Sequence, residues 1–309
     1  MDDEALETIT DNPLEAIDYC YEKGWTDGLP VIPPEESRVE QMLAMEGRPR
    51  ETVIASHPAT SLDLTIKGAA VNAVMAGCLP EYFPVVVAAF EAMAKEPFNF
   101  HASTASTGGS APLLVVSGPI VNEIGMNSGA NLFGPGIRAN ATIGSAVRLI
   151  IRNIFRMTPG IADKSTQGNP GKYSFCIAER AEKNPWSNLN EELGYPSEMS
   201  SVTVFAGGGF VNVENHGGNT AEAILETIAD AMANSGCISL GQSAVILAPE
   251  HAEIISRSEF SKDKVKSFLF EHATRSEEKM RRTGKYNKRE FRICLLYTSD
   301  AADEGLGVD

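Results

Sequence analysis

The chain alternates apolar runs of helical or strand period with clusters of turn-forming residues, which predicts a mixed helix-and-strand protein. Asn12 followed by Pro13 predicts a helix that begins there and ends before Gly24. Apolar periodicity predicts further helices over 35–45, 66–76, 80–95, 140–157 and 220–234. Short apolar, β-branched runs predict strands at 52–55, 112–117, 201–206 and 244–248.

The second part of the chain repeats a sequence pattern of the first part. LLVVSGPIVNEIG (113–125) and AVILAPEHAEIIS (244–256) each read as a buried strand, a small residue and a proline at the first helical turn. The echo predicts an α/β fold of two pseudo-repeated β-α-β-α halves with a cleft between them. We expect N-terminal helices and the GWTDGLP loop in 1–49, the first half in 50–160 and the second half in 161–293.

The C-terminal segment reads as foreign sequence. CLLYTSDAADE (Cys294–Glu304) looks like the forward-frame translation of a transposon-type sequencing adapter. We therefore expect the natural sequence to stop near Ile293 and exclude 294–309 from the fold. A genuine acidic tail is the alternative, and the length of any natural continuation is left open.

Composition and net charge limit the classes of partner that the protein is expected to bind. A net charge of −15 opposes binding to nucleic acid and to anionic membranes. No apolar run is long enough to span a bilayer, and the acidic N-terminus is unlike a secretory signal, so we expect a cytoplasmic protein. Five scattered cysteines without a CxxC pair favour reduced thiols over disulfides or a zinc site. We therefore predict no metal, and leave the cofactor unassigned.

The segment GPGIRANATIG (134–144) is the strongest candidate for chemistry. Gly134 and Gly136 flank a proline in a tight turn that is expected to expose backbone N–H groups, and Asn140 or Thr142 could cap the helix that follows. Arg138 adds a guanidinium suited to a carboxylate or phosphate. The turn is therefore predicted to bind an acidic substrate, and an ordinary capped helix with a paired arginine is the alternative.

Further along the same predicted helix, Arg148, Arg152 and Arg156 recur every four residues. Residues with this spacing share one helix face, where they can pair with nearby carboxylates. We interpret these three arginines as a salt-bridged surface and not as part of a site.

Two cysteines are candidate nucleophiles. Cys176 ends the segment STQGNPGKYSFC, in which Lys172 and Gln167 could contact a substrate anion. Cys78 lies where one predicted helix ends and Pro80 opens the next, a junction that can activate a thiol. In both cases a buried, unreactive thiol is the alternative interpretation.

Two loops carry the remaining candidates. His216 lies in a glycine-rich loop before a helix, where it could act as a general acid or base oriented by Glu214. In the GWTDGLPV loop, Trp25 could form an apolar wall and Asp27 could act as a base or orienting group. A surface histidine, a packing tryptophan and a turn-forming aspartate are the alternatives.

Five segments resemble a bacterial and metagenomic family, over roughly residues 12–273. They are GWTDGLPVIPP, NAVMAGCLPEYFPVV, GPGIRANATIG, STQGNPGKYSFCIAE and PEHAEII. The resemblance implies a partner and not a reaction, because relatives lie beside or are fused to a small thiol/selenol domain with a U-G-S-C or C-G-S-C motif. That domain is similar to the selenoprotein subunits of glycine-reductase-type systems. This chain has no CGSC, so the partner would be a separate protein or a lost C-terminal domain.

Together these features predict an enzyme, or the substrate-binding subunit of one, that acts on a small acidic molecule through thiol- or selenol-linked redox chemistry. Arg138 and the 134–136 turn would bind the substrate, His216 would move protons, and Cys176 or Cys78 would serve as the exchange thiol. A non-catalytic binding or assembly module is one alternative. A hydrolase or lyase that uses His216 is another, and a homo-oligomer is left open.

Overall fold

The computed structural model describes residues 11–234 and 242–284. The chain divides into two compact units, and among the described residues 182–187, 211–234 and 242–284 form the second of them. The first unit contains the helices α1 (Pro13–Glu22), α2 (Glu36–Glu46), α3 (Ile66–Met75), α4 (Phe83–Met93), α5 (Phe100–Thr104), α6 (Ile120–Glu123), α7 (Arg138–Asn153) and α8 (Leu189–Glu192). Its strands are β1 (Val53–Ser56), β2 (Asp63–Thr65), β3 (Ala111–Ser117), β4 (Cys176–Ala178) and β5 (Ser201–Gly207).

The helices of the second unit are α9 (Ala221–Asn234), α10 (Pro249–Arg257), α11 (Lys262–His272) and α12 (Glu277–Arg282). Short 3-10 helices occur in the chain at Pro80–Tyr82, Glu96–Phe98, Pro170–Lys172 and Ala181–Lys183. The tail predicted to be adapter sequence lies outside the described residues, as does Cys237.

Helix ends follow local capping chemistry. The Asn12 side chain accepts the Leu14 N–H with Pro13 at the first helical position, which confirms the predicted start of α1. Ser261 likewise accepts the Lys264 N–H at the start of α11. These caps satisfy backbone donors that a helix leaves unpaired at its N-terminus, so the sequence alone locates the two boundaries.

The described strands form two small sheets in the first unit. Strands β1 and β2 pair antiparallel. In the other sheet β3 lies centrally, parallel to β4 and antiparallel to β5. Every residue of β3 is buried, as expected of a central strand with an unbroken apolar sequence. The protein is therefore a mixed helix-and-sheet fold, consistent with the predicted α/β class.

One predicted strand is absent. Residues 244–248 are apolar and β-branched, but they form no strand in the structure. The predicted helix start directly after them is confirmed, because Pro249 opens α10. Short apolar runs are an ambiguous signal, since pairing with a neighbouring strand decides whether they become part of a sheet.

The core of the first unit surrounds α4. Its Phe83, Val86, Phe90 and Met93 are fully buried, and they pack with residues of α3, α7 and β3 in one apolar cluster. A helix that is apolar on nearly all sides must be covered on nearly all sides. The sequence FPVVVAAF therefore places α4 inside the unit and leaves the more amphipathic α7 at its boundary.

The second unit has its own apolar core. Helices α9, α10 and α11 bury Ile224, Leu225, Ile255 and Leu269 against one another. The indole of Trp186 packs on this cluster and donates from Nε1 to the Phe260 carbonyl oxygen at 2.9 Å. No helix within 11–234 or 242–284 is long and apolar enough to cross a membrane.

The imidazole of His57 lies in the interior of the first unit. His57 is fully buried, with its Nδ1 accepting the Thr60 N–H at 3.3 Å and its Nε2 at 3.1 Å from Thr104 Oγ1. Its ring also meets Phe100 edge to face. Burial, and then the neighbouring His101, lower the pKa of His57 below its ordinary value. The folded state therefore holds this imidazole neutral.

This arrangement predicts an acid-sensitive fold. Because the folded pKa of His57 lies below the unfolded value, the unfolded chain binds the proton more readily as the pH falls below about 6.5. We expect His57→Gln to flatten the decline in unfolding free energy between pH 7 and pH 5, measured by urea titration. The matched change His101→Gln, at an exposed histidine, should largely retain the decline. An unchanged slope in His57→Gln would contradict the assignment.

Candidate functional site

Helix α7 begins at Arg138, directly after the Gly134–Gly136 turn. Its N-cap residue is Ile137, whose side chain makes no capping hydrogen bond. The predicted caps Asn140 and Thr142 are wrong, because both lie inside the helix. Asn140 is instead buried and exchanges hydrogen bonds with the Asn127 backbone at 2.8 and 3.0 Å, so it anchors the preceding loop.

The glycine turn is partly closed by its own loop. The Gly134 N–H donates to the Asn131 carbonyl oxygen, and the Asn131 amide donates to the Pro135 carbonyl oxygen, each at 2.9 Å. Gly136 has a φ of +126°, a conformation that a residue with a Cβ rarely adopts. The Gly134 amide, predicted to be exposed for a ligand, is therefore already paired.

Arg138 is exposed, but its guanidinium is tethered at one point. Its Nε donates to the Gly77 carbonyl oxygen at 3.0 Å, which joins the first turn of α7 to the end of α3. Among residues 11–234 and 242–284, no carboxylate forms an ion pair with Arg138. This hydrogen bond uses only Nε of Arg138, and the two terminal amino groups of the guanidinium take no part in it.

Cys78 lies beside this tether, one residue after Gly77, and is buried. Burial raises the pKa of the Cys78 thiol to about 12, although a side-chain hydrogen bond with Thr142 and the charge of Arg138 act in the opposite direction. Tyr82 is buried at the same junction, and its phenol experiences the charge of Arg138. The structure therefore brings together three predicted site residues, Cys78, Arg138 and Thr142, with a tyrosine that sequence analysis missed.

Cys176 belongs to the same neighbourhood. It is buried in β4, and its carbonyl oxygen accepts the Asn140 amide at 3.4 Å. Burial raises its pKa, and the nearby Cys78 raises it further. Since a thiolate is the nucleophilic form, neither thiol is activated in this structure at neutral pH.

A close approach of backbone segments assembles this neighbourhood. A Cβ added at Gly144 would lie 2.3 Å from Ser174 Oγ and 2.7 Å from the Phe175 backbone nitrogen. Ser174 Oγ also donates to the Ala141 carbonyl oxygen at 2.9 Å. The missing side chain therefore allows α7 to contact the segment that leads into β4.

This contact predicts that Gly144→Ala destabilises the protein, although alanine favours helix over glycine by about 1 kcal/mol. We expect a net loss of about 1–3 kcal/mol in urea unfolding, because the Phe175 backbone cannot move aside cheaply. The matched control is Gly68→Ala in α3, where the nearest atoms are 3.4 Å from the added Cβ. That variant should be neutral or more stable, and equal effects of the two changes would refute the close-contact argument.

Two further candidates of the first unit, Lys172 and Gln167, lie in the segment between α7 and β4. Lys172, predicted to hold a substrate anion, pairs instead with the buried Asp163 and with Ser165. Burial alone would raise the pKa of Asp163, but these hydrogen bonds outweigh burial and hold the pKa below its usual range. Gln167 is exposed on the same loop. Lys172 therefore satisfies a structural carboxylate.

The GWTDG loop packs on the other end of the same helix. Trp25 contacts Tyr19 edge to face and joins a small apolar cluster, and its carbonyl oxygen accepts the Asn153 amide at 2.9 Å. Asp27 Oδ1 accepts the Leu29 N–H at 3.1 Å. These contacts match the structural alternatives for Trp25 and Asp27. The second oxygen of Asp27, Oδ2, is buried without a hydrogen-bond partner among the described residues.

The predicted salt-bridged face of α7 is wrong. Arg148 is buried, and its Nε donates to the Lys172 carbonyl oxygen at 3.1 Å. Arg152 donates to the Gly24 carbonyl oxygen, and Arg156 lies beyond the helix end with a φ of +59°. The signal for burial was present in the sequence, since Arg148 stands between Val147 and Leu149 in an apolar run.

His216 belongs to the second unit, in the loop before α9. Its side chain is 91% exposed, and its Nε2 lies 3.9 Å from Glu214 Oε2. That distance permits the predicted orienting contact only as a loose ion pair on the surface. His216 as a general acid or base stays a prediction.

The chain matches no family model, no curated protein and no solved structure. Within the described ranges, no group of three or more histidine, cysteine or acidic side chains is arranged to hold a metal ion.

The raised pKa values of the Cys78 and Cys176 thiols can be tested by their reaction with an alkylating reagent. Below its raised pKa, a thiol is protonated and reacts slowly with alkylating reagents. We expect Cys78 and Cys176 to remain unlabelled by iodoacetamide from pH 7 to pH 9 in the folded protein, and to be labelled in denaturant, as read by peptide mass spectrometry. Labelling of native Cys78 at the rate of a free cysteine would show an activated thiolate.

Proposed function

We propose that the protein binds a small acidic molecule at the N-terminus of α7, as the substrate-binding subunit of an enzyme. The observation that carries the proposal is the tethered guanidinium of Arg138, which has no carboxylate partner among the described residues. Unpaired N–H groups and the helix dipole favour a carboxylate or phosphate at this end of α7. Arg138 would add a charge-assisted fork to them.

The state of the thiols favours binding over chemistry by this chain alone. Cys78 and Cys176 are buried and protonated, so neither supplies a nucleophilic thiolate in the resting protein. A redox reaction would therefore need a reactive group from elsewhere, which fits the thiol- or selenol-bearing partner that the family resemblance implies. Cys78, beside Arg138 and Thr142, would then line the bound molecule and not attack it.

Two alternatives have their own support. A non-catalytic binding or assembly module is consistent with the same buried thiols. A hydrolase or lyase is favoured by the exposure of His216 near Glu214, a setting in which the imidazole can exchange protons with solvent. The twofold pseudo-repeat with its cleft, a cytoplasmic location and a homo-oligomer stay predictions beside these functions.

The proposal is tested by the thermal stability of the full chain in the presence of phosphate or succinate. A ligand that binds only the folded state raises the midpoint of unfolding, and the rise increases with the logarithm of ligand concentration over Kd. We expect Arg138→Ala to weaken binding of the effective anion about tenfold or more, because a charge-assisted hydrogen bond contributes about 1.5–3 kcal/mol. Arg138→Lys should retain part of the binding, since the charge remains without the fork.

Arg38→Ala is the control, because it removes an equal charge from an arginine of α2 whose side chain is 54% exposed. It should leave the ligand-induced shift unchanged. If phosphate and succinate fail to stabilise the native protein, or if the shift is the same in Arg138→Ala, anion binding at this turn is wrong.

A further inference from the structure

A cavity of about 410 Å³ lies in the second unit, at the C-terminal end of α9. One wall is the last turn of that helix, from Asp230 to Asn234, and the other belongs to the segment 274–279, which leads from α11 into α12. Ala231 and Ala233 line the helix wall, and their small side chains leave the space open. A cavity of this volume falls within the range of small-molecule sites.

Two cations line this cavity. The Arg275 guanidinium donates to Asn234 Oδ1, which holds it at the end of α9, where the helix dipole favours a positive charge. Lys279 is exposed at the start of α12, a position fixed by the Ser276 hydroxyl, which accepts the Lys279 N–H. Within 11–234 and 242–284, neither cation has a carboxylate within the 4.0 Å of an ion pair. Both therefore keep unused donors at the cavity wall.

Asp230 brings a negative charge to the same cavity. Its carboxylate is exposed and, in the part of the chain that the structure describes, makes no hydrogen bond or ion pair. It therefore does not neutralise Arg275 or Lys279, although all three side chains line one space. Opposite charges that share a cavity without pairing can each contact a different group of one ligand.

We propose that this cavity binds a small amino acid with an acidic side chain. The two carboxylates of the ligand accept from Arg275 and Lys279, and its ammonium group donates to the Asp230 carboxylate. A neutral amino acid has only one carboxylate for the two cations. A dicarboxylate without the ammonium group leaves Asp230 unpaired and is repelled by its charge. The acidic amino acid is the class that matches all three charges.

This site is separate from the one proposed at Arg138. Arg138 belongs to the first unit, whereas every residue that lines the cavity belongs to the second. The inference therefore does not depend on the function proposed above.

The test compares L-glutamate with glutarate, which has the same carbon chain and both carboxylates but no ammonium group. Each is titrated by calorimetry into the full chain carrying Arg138→Ala, so that the anion site proposed in the first unit contributes little to either measurement. We expect L-glutamate to bind about fivefold more tightly, the ratio that one partly exposed ion pair provides. Equal affinities, or no binding of L-glutamate, would overturn the proposal.

Variants then assign the preference to individual side chains. Asp230→Asn removes the negative charge at an exposed position, so the preference for L-glutamate should disappear while circular dichroism shows an intact fold. Glu226→Gln is the matched control, because Glu226 is an exposed acid one turn earlier on α9 that does not line the cavity, and it should keep the preference. A preference that survives in Asp230→Asn would refute the site.

The cations are tested in the same way. Lys279→Gln should weaken L-glutamate and glutarate alike by about fivefold, because it removes a partner that both ligands use. Arg282→Gln, at an exposed cation of α12 outside the cavity, should leave both affinities unchanged. Equal effects of the two changes would show a general attraction to positive charge and would contradict a site at Lys279.

Discussion

The contact between α7 and the segment before β4 is the constraint on which the first unit depends. It requires a residue without a side chain at Gly144, since the Phe175 backbone occupies the space that a Cβ would need. Because the helix approaches this closely, its first turns reach both Cys176 on the sheet and Cys78 at the end of α3. A single small residue therefore determines which candidate side chains become neighbours, although it makes no contact with a ligand itself.

Desolvation then determines the chemical state of the groups so assembled. Cys78 has two neighbours that lower its pKa, the Thr142 hydroxyl and the Arg138 guanidinium, yet burial outweighs both of them. The same effect lowers the pKa of His57 and that of Arg148, each in the direction that disfavours charge. The first unit consequently keeps Cys78 and Cys176 protonated, so neither is a nucleophilic thiolate in the resting protein.

At Asp163, in the same unit, hydrogen bonds outweigh the effect of burial on the pKa. Its carboxylate is also buried, but Lys172 and Ser165 reach it directly, so its charge is retained. Arg148 donates only from Nε to a backbone carbonyl oxygen, and burial outweighs the charges of Asp163 and Asp27. The contrast shows that burial by itself does not neutralise an ionisable group, and that direct hydrogen bonds decide whether a charge is stable.

Local sequence signals determined most helix boundaries and the buried central strand, because caps, prolines and apolar periodicity act within a few residues. They also placed a helix start directly after the glycine turn, although the predicted caps Asn140 and Thr142 lie inside α7. What they could not supply was long-range contact. The segment 244–248 looked like a strand but formed none. Arg148 shared the spacing of a surface arginine, yet it is buried and donates to the Lys172 carbonyl oxygen in a loop distant in sequence. Exposure, ionisation state and proximity are properties of the packed chain, so only the tertiary structure decided them.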